Sequence, residues 1–156
     1  MGLGSQCEGN IAPLSVPERN ISWPGLCIDD SPQGVRWTEF VTAFPAGITV
    51  ASTWNRTLLR LRGQAMGAEF RGKGVNVALG PMINMGRLPQ GGRNWEGFGA
   101  DPFLAGEAGY ETVLGLQQIG VQSCVKHYID KYVFPCLWCR YRYRSTLTTN
   151  EQRTGA

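Results

Sequence analysis

The chain has 156 residues, 42% hydrophobic and 17% charged, with a net charge of +3. That length can bury one core, and no apolar run reaches the roughly 18–20 residues of a membrane span, so no membrane partner is expected. Twenty-one glycines and nine prolines predict many tight turns and argue against a helix bundle.

The first residues, Met1 to Cys7, lack a basic stretch followed by an apolar one, so no signal peptide is expected. Residues 1–23 hold Gly, Pro, Ser and Asn with little periodicity and read as loop. Four short runs then follow, each bounded by turn residues. Gly25–Asp29, Gly47–Thr53, Val75–Leu79 and Gly120–Val125 read as buried parallel strands. Two helical patterns lie among them. From Asn55 to Gly72 an apolar stripe (Leu58, Leu59, Leu61, Ala65, Met66, Phe70) predicts a helix capped by Asn55 and stopped at Gly72. Asp101-Pro102 opens a second, with Phe103, Leu104, Ala108, Tyr110, Val113, Leu114 and Leu116, ending near Gly120.

Strands alternating with helices predict an α/β fold with a parallel sheet. Four strands make either a small open sheet or the first part of a (β/α)8 barrel. Asp29, Asp30, Arg36, Lys126 and His127 all follow apolar runs, where a barrel builds its active site, and this favours a partial (β/α)8 TIM-barrel-like domain.

The loop Gly86–Phe98 mixes charge, aromatics and glycine. Arg93, Asn94 and Glu96 supply donors and acceptors, while Trp95 and Phe98 supply flat apolar faces, a mixture that suits sugars. The alternative is a structural loop held by an Arg–Glu pair and a buried Trp. His127 is the single histidine, and a lone histidine is more often a structural hydrogen-bonder than a ligand or base. Gly72-Lys-Gly-Val lacks the spacing of a phosphate loop. Five cysteines leave an odd one. A Cys7–Cys27 bridge suits an oxidising compartment, although sequence does not fix its geometry. Asn20-Ile-Ser and Asn55-Arg-Thr are glycosylation sequons, a short pattern that arises often by chance.

Seven segments occur in the order seen in fungal family 3 glycoside hydrolases of the β-glucosidase type, which the chain resembles. They are Leu26–Arg36, Ala43–Gly47, Arg62–Gly67, Leu79–Pro81, Gly91–Phe98, Asp101-Pro102 and Lys126–Tyr128. The resemblance runs from about Cys7 to Ile129. It implies a (β/α)8-type barrel and a secreted parent enzyme. That parent would release terminal β-D-glucose from cellobiose and other β-glucosides, as in cellulose degradation, with no cofactor and no metal. It further implies that Asp30, Arg36, Arg93, Lys126 and His127 line the terminal sugar site. A retaining glycosidase needs two carboxyl groups about 5–5.5 Å apart. The family's nucleophile lies in a later Ser-Asp-Trp motif and its acid/base Glu in a following domain. Neither is found here, so the chain alone is expected to be inactive. It would need the remainder of its barrel and the second domain.

After Ile129 the family pattern breaks. Residues 1–129 are expected to form the partial barrel domain. Residues 130–149 are expected to be an aberrant insert, translated intron or a comparable error in gene structure, and 150–156 resume with Asn150-Glu-Gln152. The motif splits and resumes, and the inserted composition is foreign. All the excess charge also lies from Asp130 onward: Lys131, Arg140, Arg142, Arg144 and Arg153 against Asp130 and Glu151. A basic tail can serve nucleic acid, but in a stretch of this origin no nucleic-acid partner is expected. Two further readings stay open. One is a non-catalytic sugar-binding remnant. The other is a metal or redox module on Cys136 and Cys139, a single C-x-x-C pair.

Overall fold

The structure is a computed structural model that describes Cys7, residues 9–30 and residues 32–128. The readings made for Ile129 onward, including the insert and the Cys136–Cys139 pair, lie outside the described residues.

The described chain is mixed α/β. Its strands are β1 (Gly9–Ile11), β2 (Leu14–Val16), β3 (Ile21–Trp23), β4 (Leu26–Asp30), β5 (Val77–Leu79) and β6 (Gln122–Ser123). Its helices are α1 (Gly47–Ala51), α2 (Arg56–Gly72) and α3 (Pro102–Gln118). The main sheet runs β1-β4-β5-β6. β4 lies parallel to β5, with Asp30 opposite Leu79, and β5 lies parallel to β6, with Ala78 opposite Ser123. α1 and α2 carry the chain from β4 to β5, and α3 carries it from β5 to β6. These are the βαβ crossovers that the alternation predicts.

Two sequence expectations are corrected. Residues 1–23 are not all loop: β1 pairs antiparallel with β4, and β2 and β3 form a hairpin. Strands of three residues are too short to show an alternating pattern. Cys7 is disulfide-bonded to Cys27 on β4, with 5.3 Å between their Cα atoms, which ties this N-terminal segment to the sheet.

The second correction is Gly47–Thr53, which forms helix α1 rather than a strand. Gly47, Val50 and Ala51 are buried while Ile48 and Thr49 are exposed, which is helical spacing. A Cβ at Gly47 would collide with the backbone carbonyl oxygen of Glu96. Close packing of this turn against the later loop outweighs the strand preference of its β-branched residues. Among the described residues the parallel strands are therefore three.

α2 and α3 form where the caps predicted them. The Asn55 Oδ1 accepts from the N–H groups of Thr57 (2.9 Å) and Leu58 (3.2 Å). The Asp101 carboxylate accepts from the Leu104 N–H at 2.6 Å. Gly72 is the last helical residue, and the left-handed stop falls at Gly74, with φ of 84°. The buried face of α2 is Leu59, Arg62, Gly63, Met66, Gly67 and Phe70, whereas Leu58, Leu61 and Ala65 are exposed. On α3, Phe103 and Tyr110 are exposed and Ala105, Ala108, Thr112, Gly115 and Leu116 are buried.

Small residues let α2 and α3 touch: a Cβ at Gly115 would lie 2.6 Å from the Arg60 carbonyl oxygen. Outside that seam, Arg56–Glu107 (2.7 Å) and Arg60–Glu111 (2.5 Å) pair across the two helices. Between sheet and helices, Cys27, Val35, Met66, Phe70, Val75, Ala78, Leu116 and Val121 form one core cluster. Val50, Ala51, Leu59, Phe98, Ala105 and Ala108 form a second, which fixes the loop before α3.

Candidate functional site

The last two residues of β4 point to opposite sides of the strand. Asp29 is fully buried, and its Oδ2 accepts from the Arg36 backbone N–H at 3.2 Å, folding the following loop back onto the strand. Asp30, on the other side, meets two cations. Its Oδ2 takes the Arg36 Nη1 at 3.2 Å and its Oδ1 takes the Lys126 Nζ at 2.5 Å.

Lys126 follows β6 and is held by backbone pairing. Its N–H donates to the Pro81 carbonyl (3.0 Å), and its carbonyl accepts from the Ile83 N–H (2.9 Å). Its Nζ also lies 3.3 Å from Glu96 Oε2. Glu96 in turn holds Arg93 through two bonds, Nε to Oε1 at 2.5 Å and Nη2 to Oε2 at 3.0 Å. The result is a row of alternating charge, Arg36, Asp30, Lys126, Glu96, Arg93, across three separate chain segments. All three follow carboxyl ends of parallel strands, where open α/β sheets bind ligands.

The row grades from core to solvent. Glu96 and Lys126 are nearly buried, with side chains 5% and 11% exposed, while Arg36 and Arg93 are close to half exposed. Burial by itself would raise the Glu96 pKa. The Arg93 hydrogen bond and the charges of Lys126 and Arg93 outweigh it and hold the carboxyl below its ordinary value. Arg62 is the contrasting case. Burial lowers its pKa to about 10, and it donates to the Pro45 (2.7 Å) and Pro32 (2.9 Å) carbonyls, joining α2 to the segment between β4 and α1. It remains charged near neutral pH and serves architecture.

The loop that carries Arg93 is shaped by its own bonds. The Asn94 Nδ2 donates to the Leu88 carbonyl at 2.6 Å, and the Gly86 N–H to the Gly99 carbonyl at 2.9 Å. The Arg–Glu pair foreseen for a structural loop is present, but Trp95 is 39% exposed, and the buried anchor is Phe98. Trp37, also exposed, stacks on Arg36 with 5.5 Å from guanidinium to ring centroid.

Of the five residues singled out in the sequence, Asp30, Arg36, Arg93 and Lys126 thus meet in one network. His127 adjoins it through the backbone: its N–H donates to Asn84 Oδ1 and its carbonyl accepts from Asn84 Nδ2 at 3.2 Å. Sequence reasoning missed Glu96 as the link between Arg93 and Lys126, and Asn84 as the clamp on His127. Both are polar residues downstream of the Gly80-Pro81 strand end, the kind of position that had singled out Asp30, Arg36, Lys126 and His127. Behind the row lies a cavity of about 20 Å³, lined in part by Arg62, Glu96, Thr112 and Lys126. It has room for about one water and none for a sugar ring. At the row, the described residues therefore enclose no space the size of a sugar. They contain no cluster of three or more metal-ligating side chains.

The described residues thus combine a parallel α/β segment with paired cations and carboxylates at its strand ends. Residues 10–132 match the Glycosyl hydrolase family 3 N terminal domain, and the chain belongs to that family. Probable beta-glucosidase E of Aspergillus clavatus is 56% identical over 124 residues, 79% of this chain and 11% of that relative. Probable beta-glucosidase L of Neosartorya fischeri is 45% identical over 149 residues, 95% of this chain and 19% of that relative. The crystal structure of beta-D-glucoside glucohydrolase from Trichoderma reesei superposes with a TM-score of 0.76 at 48% identity, covering 83% of this chain and 18% of that one. Beta-glucosidase 3B from Thermotoga neapolitana, in complex with alpha-D-glucose, gives 0.73 at 39% identity, covering 82% and 19%. The chain therefore spans less than a fifth of the length of each of these proteins.

Proposed function

We propose that this chain forms part of the terminal-sugar wall of a secreted β-glucosidase. That enzyme takes single β-D-glucose units from cellobiose and related β-glucosides by a retaining mechanism, in the breakdown of cellulose. In this reading the β4-β5-β6 sheet is a stretch of a (β/α)8 barrel wall, and Asp30, Arg36, Arg93, Lys126 and His127 face the sugar. The observation that carries it is the charge row at the strand ends, in a chain of this family. Fixed carboxylates and cations in alternation offer both acceptors and donors to neighbouring hydroxyls, as a pyranose presents them.

The same row argues against catalysis by its own carboxylates. Asp30 and Glu96 share one ammonium, which invites the thought that they are the reacting pair. A retaining pair needs one carboxyl group that keeps its proton near working pH. Glu96 is held ionised by Arg93 and Lys126, and Asp30 is bound by two cations. Both suit orientation of substrate. The nucleophile and the acid/base belong to residues outside this sequence, consistent with its lack of Ser-Asp-Trp.

The test has two arms. Purified chain releases no glucose or aglycone from aryl β-glucosides, and robust turnover would overturn the assignment of the missing carboxylates. In the full-length enzyme, Asp30→Ala removes a charged hydrogen-bond partner worth about 1.5–3 kcal/mol, which lowers kcat/KM by roughly 10- to 100-fold. Unchanged kcat/KM on cellobiose would remove Asp30 from the sugar site.

A further inference from the structure

The two sequons are left unexplained by the sugar-binding wall, and the fold treats both alike. Asn20-Ile21-Ser22 lies at the tip of the β2–β3 hairpin, with all three residues exposed. Asn20 has φ of 51° and ψ of 38°, a left-handed conformation that Asn tolerates better than most residues. The turn is closed by its backbone, the Asn20 N–H donating to the Pro17 carbonyl at 3.1 Å. It makes no demand on the side-chain amide.

Asn55-Arg56-Thr57 lies at the turn into α2, again fully exposed. Asn55 caps the helix through Oδ1 alone. An N-glycan bonds through Nδ2 and leaves Oδ1 free to accept, so this cap and a sugar are compatible on one side chain. A third observation is independent of both sequons. Cys7 and Cys27 are joined, and the loop they close contains Asn20. Structural disulfides persist in oxidising compartments such as the secretory lumen, where N-glycans are attached. A chance sequon has no reason to avoid strands and buried helix faces; these two are both on exposed turns.

We propose that Asn20 and Asn55 are N-glycosylation sites. The donor is an oligosaccharide linked through N-acetylglucosamine to a lipid diphosphate, acted on by a transferase of the secretory lumen. The Asn Nδ2 forms a bond to the anomeric carbon of that sugar. The carbon–oxygen bond to the diphosphate breaks, the lipid diphosphate leaves, and the amide nitrogen gives up one proton. This assignment does not depend on the sugar-binding reading of the strand ends.

The test is translation of the full chain behind an appended secretory leader in the presence of microsomes. Only the protease-protected, translocated product is scored. Two mobility steps sensitive to an N-glycan-releasing enzyme are expected. Ser22→Ala removes one and Thr57→Ala the other. Neither substitution touches a capping atom, because Thr57 contributes only its backbone N–H. Asn55→Asp also removes a step while keeping a capping oxygen. Translocated chain with no such step overturns the proposal. A step that survives both substitutions places the sugar elsewhere and overturns it too. A single step refutes the assignment of whichever sequon's variant leaves the pattern unmoved.

Discussion

Glu96→Gln isolates what the charge row contributes, because Gln keeps the shape of the side chain and removes its charge. Glu96 is nearly buried and bonds Arg93 twice and Lys126 once. Lys126 retains Asp30 when Glu96 is neutral, and Arg93, close to half exposed, regains water. The loss is therefore that of about one charge-assisted hydrogen bond, about 2 kcal/mol. For a domain of this size it lowers the melting midpoint by about 4–8 °C. Circular dichroism melts of the purified variant and parent at pH 7 read this directly.

The acid arm sharpens the test. The Glu96 carboxyl is held below its ordinary value of 4.5. A group of depressed pKa stabilises the fold fully above its unfolded value and loses that contribution as pH falls through the folded one. The gap between parent and Glu96→Gln is thus full at neutral pH and closes with acidification below 4.5. Equal melting midpoints at pH 7, or a gap that stays constant into strong acid, would refute a charge-bridging role for Glu96.

Three further outcomes follow from the packing. Cys7→Ser opens a loop of 20 residues and costs about 3 kcal/mol; urea titration of the oxidised parent against the variant measures it. Phe70, fully buried in the larger core cluster, loses about 3–5 kcal/mol on truncation to Ala, visible as a lower urea midpoint with an unchanged slope. Gly115→Ala forces a methyl against the Arg60 carbonyl and the Gln64 amide. It costs about 1–3 kcal/mol, and an unchanged melting midpoint would mean that α2 and α3 are not in close contact.

Local signals read well where one residue performs one backbone task. Asn55 and Asp101 cap the helices they were expected to cap, and Pro102 opens α3. The polar residues after strand ends likewise come together, because parallel strands deliver their following loops to one edge of the sheet. Apolar content alone proved a poorer guide. Leu58 and Leu61 look like core in a linear stripe but sit on the exposed side of α2. That helix buries Arg62, Gly63 and Gly67 instead, since close helix contact needs small residues and the Arg62 guanidinium finds two carbonyls.

Gly47–Thr53 shows most clearly where sequence stops. Its β-branched residues carry a strand preference, yet the backbone of Glu96 and Gly97 leaves room there only for a glycine-led helical turn. No nearby residue announces a neighbour some fifty positions away. The charge row has the same character. Which residues stand at the strand ends, and with them the family likeness, can be read along the chain. That Glu96 joins Arg93 to Lys126, and that Lys126 in turn holds Asp30, emerges from the packing. A salt link is fixed by distance and burial, and both are set by how the sheet and its loops pack rather than by spacing along the chain.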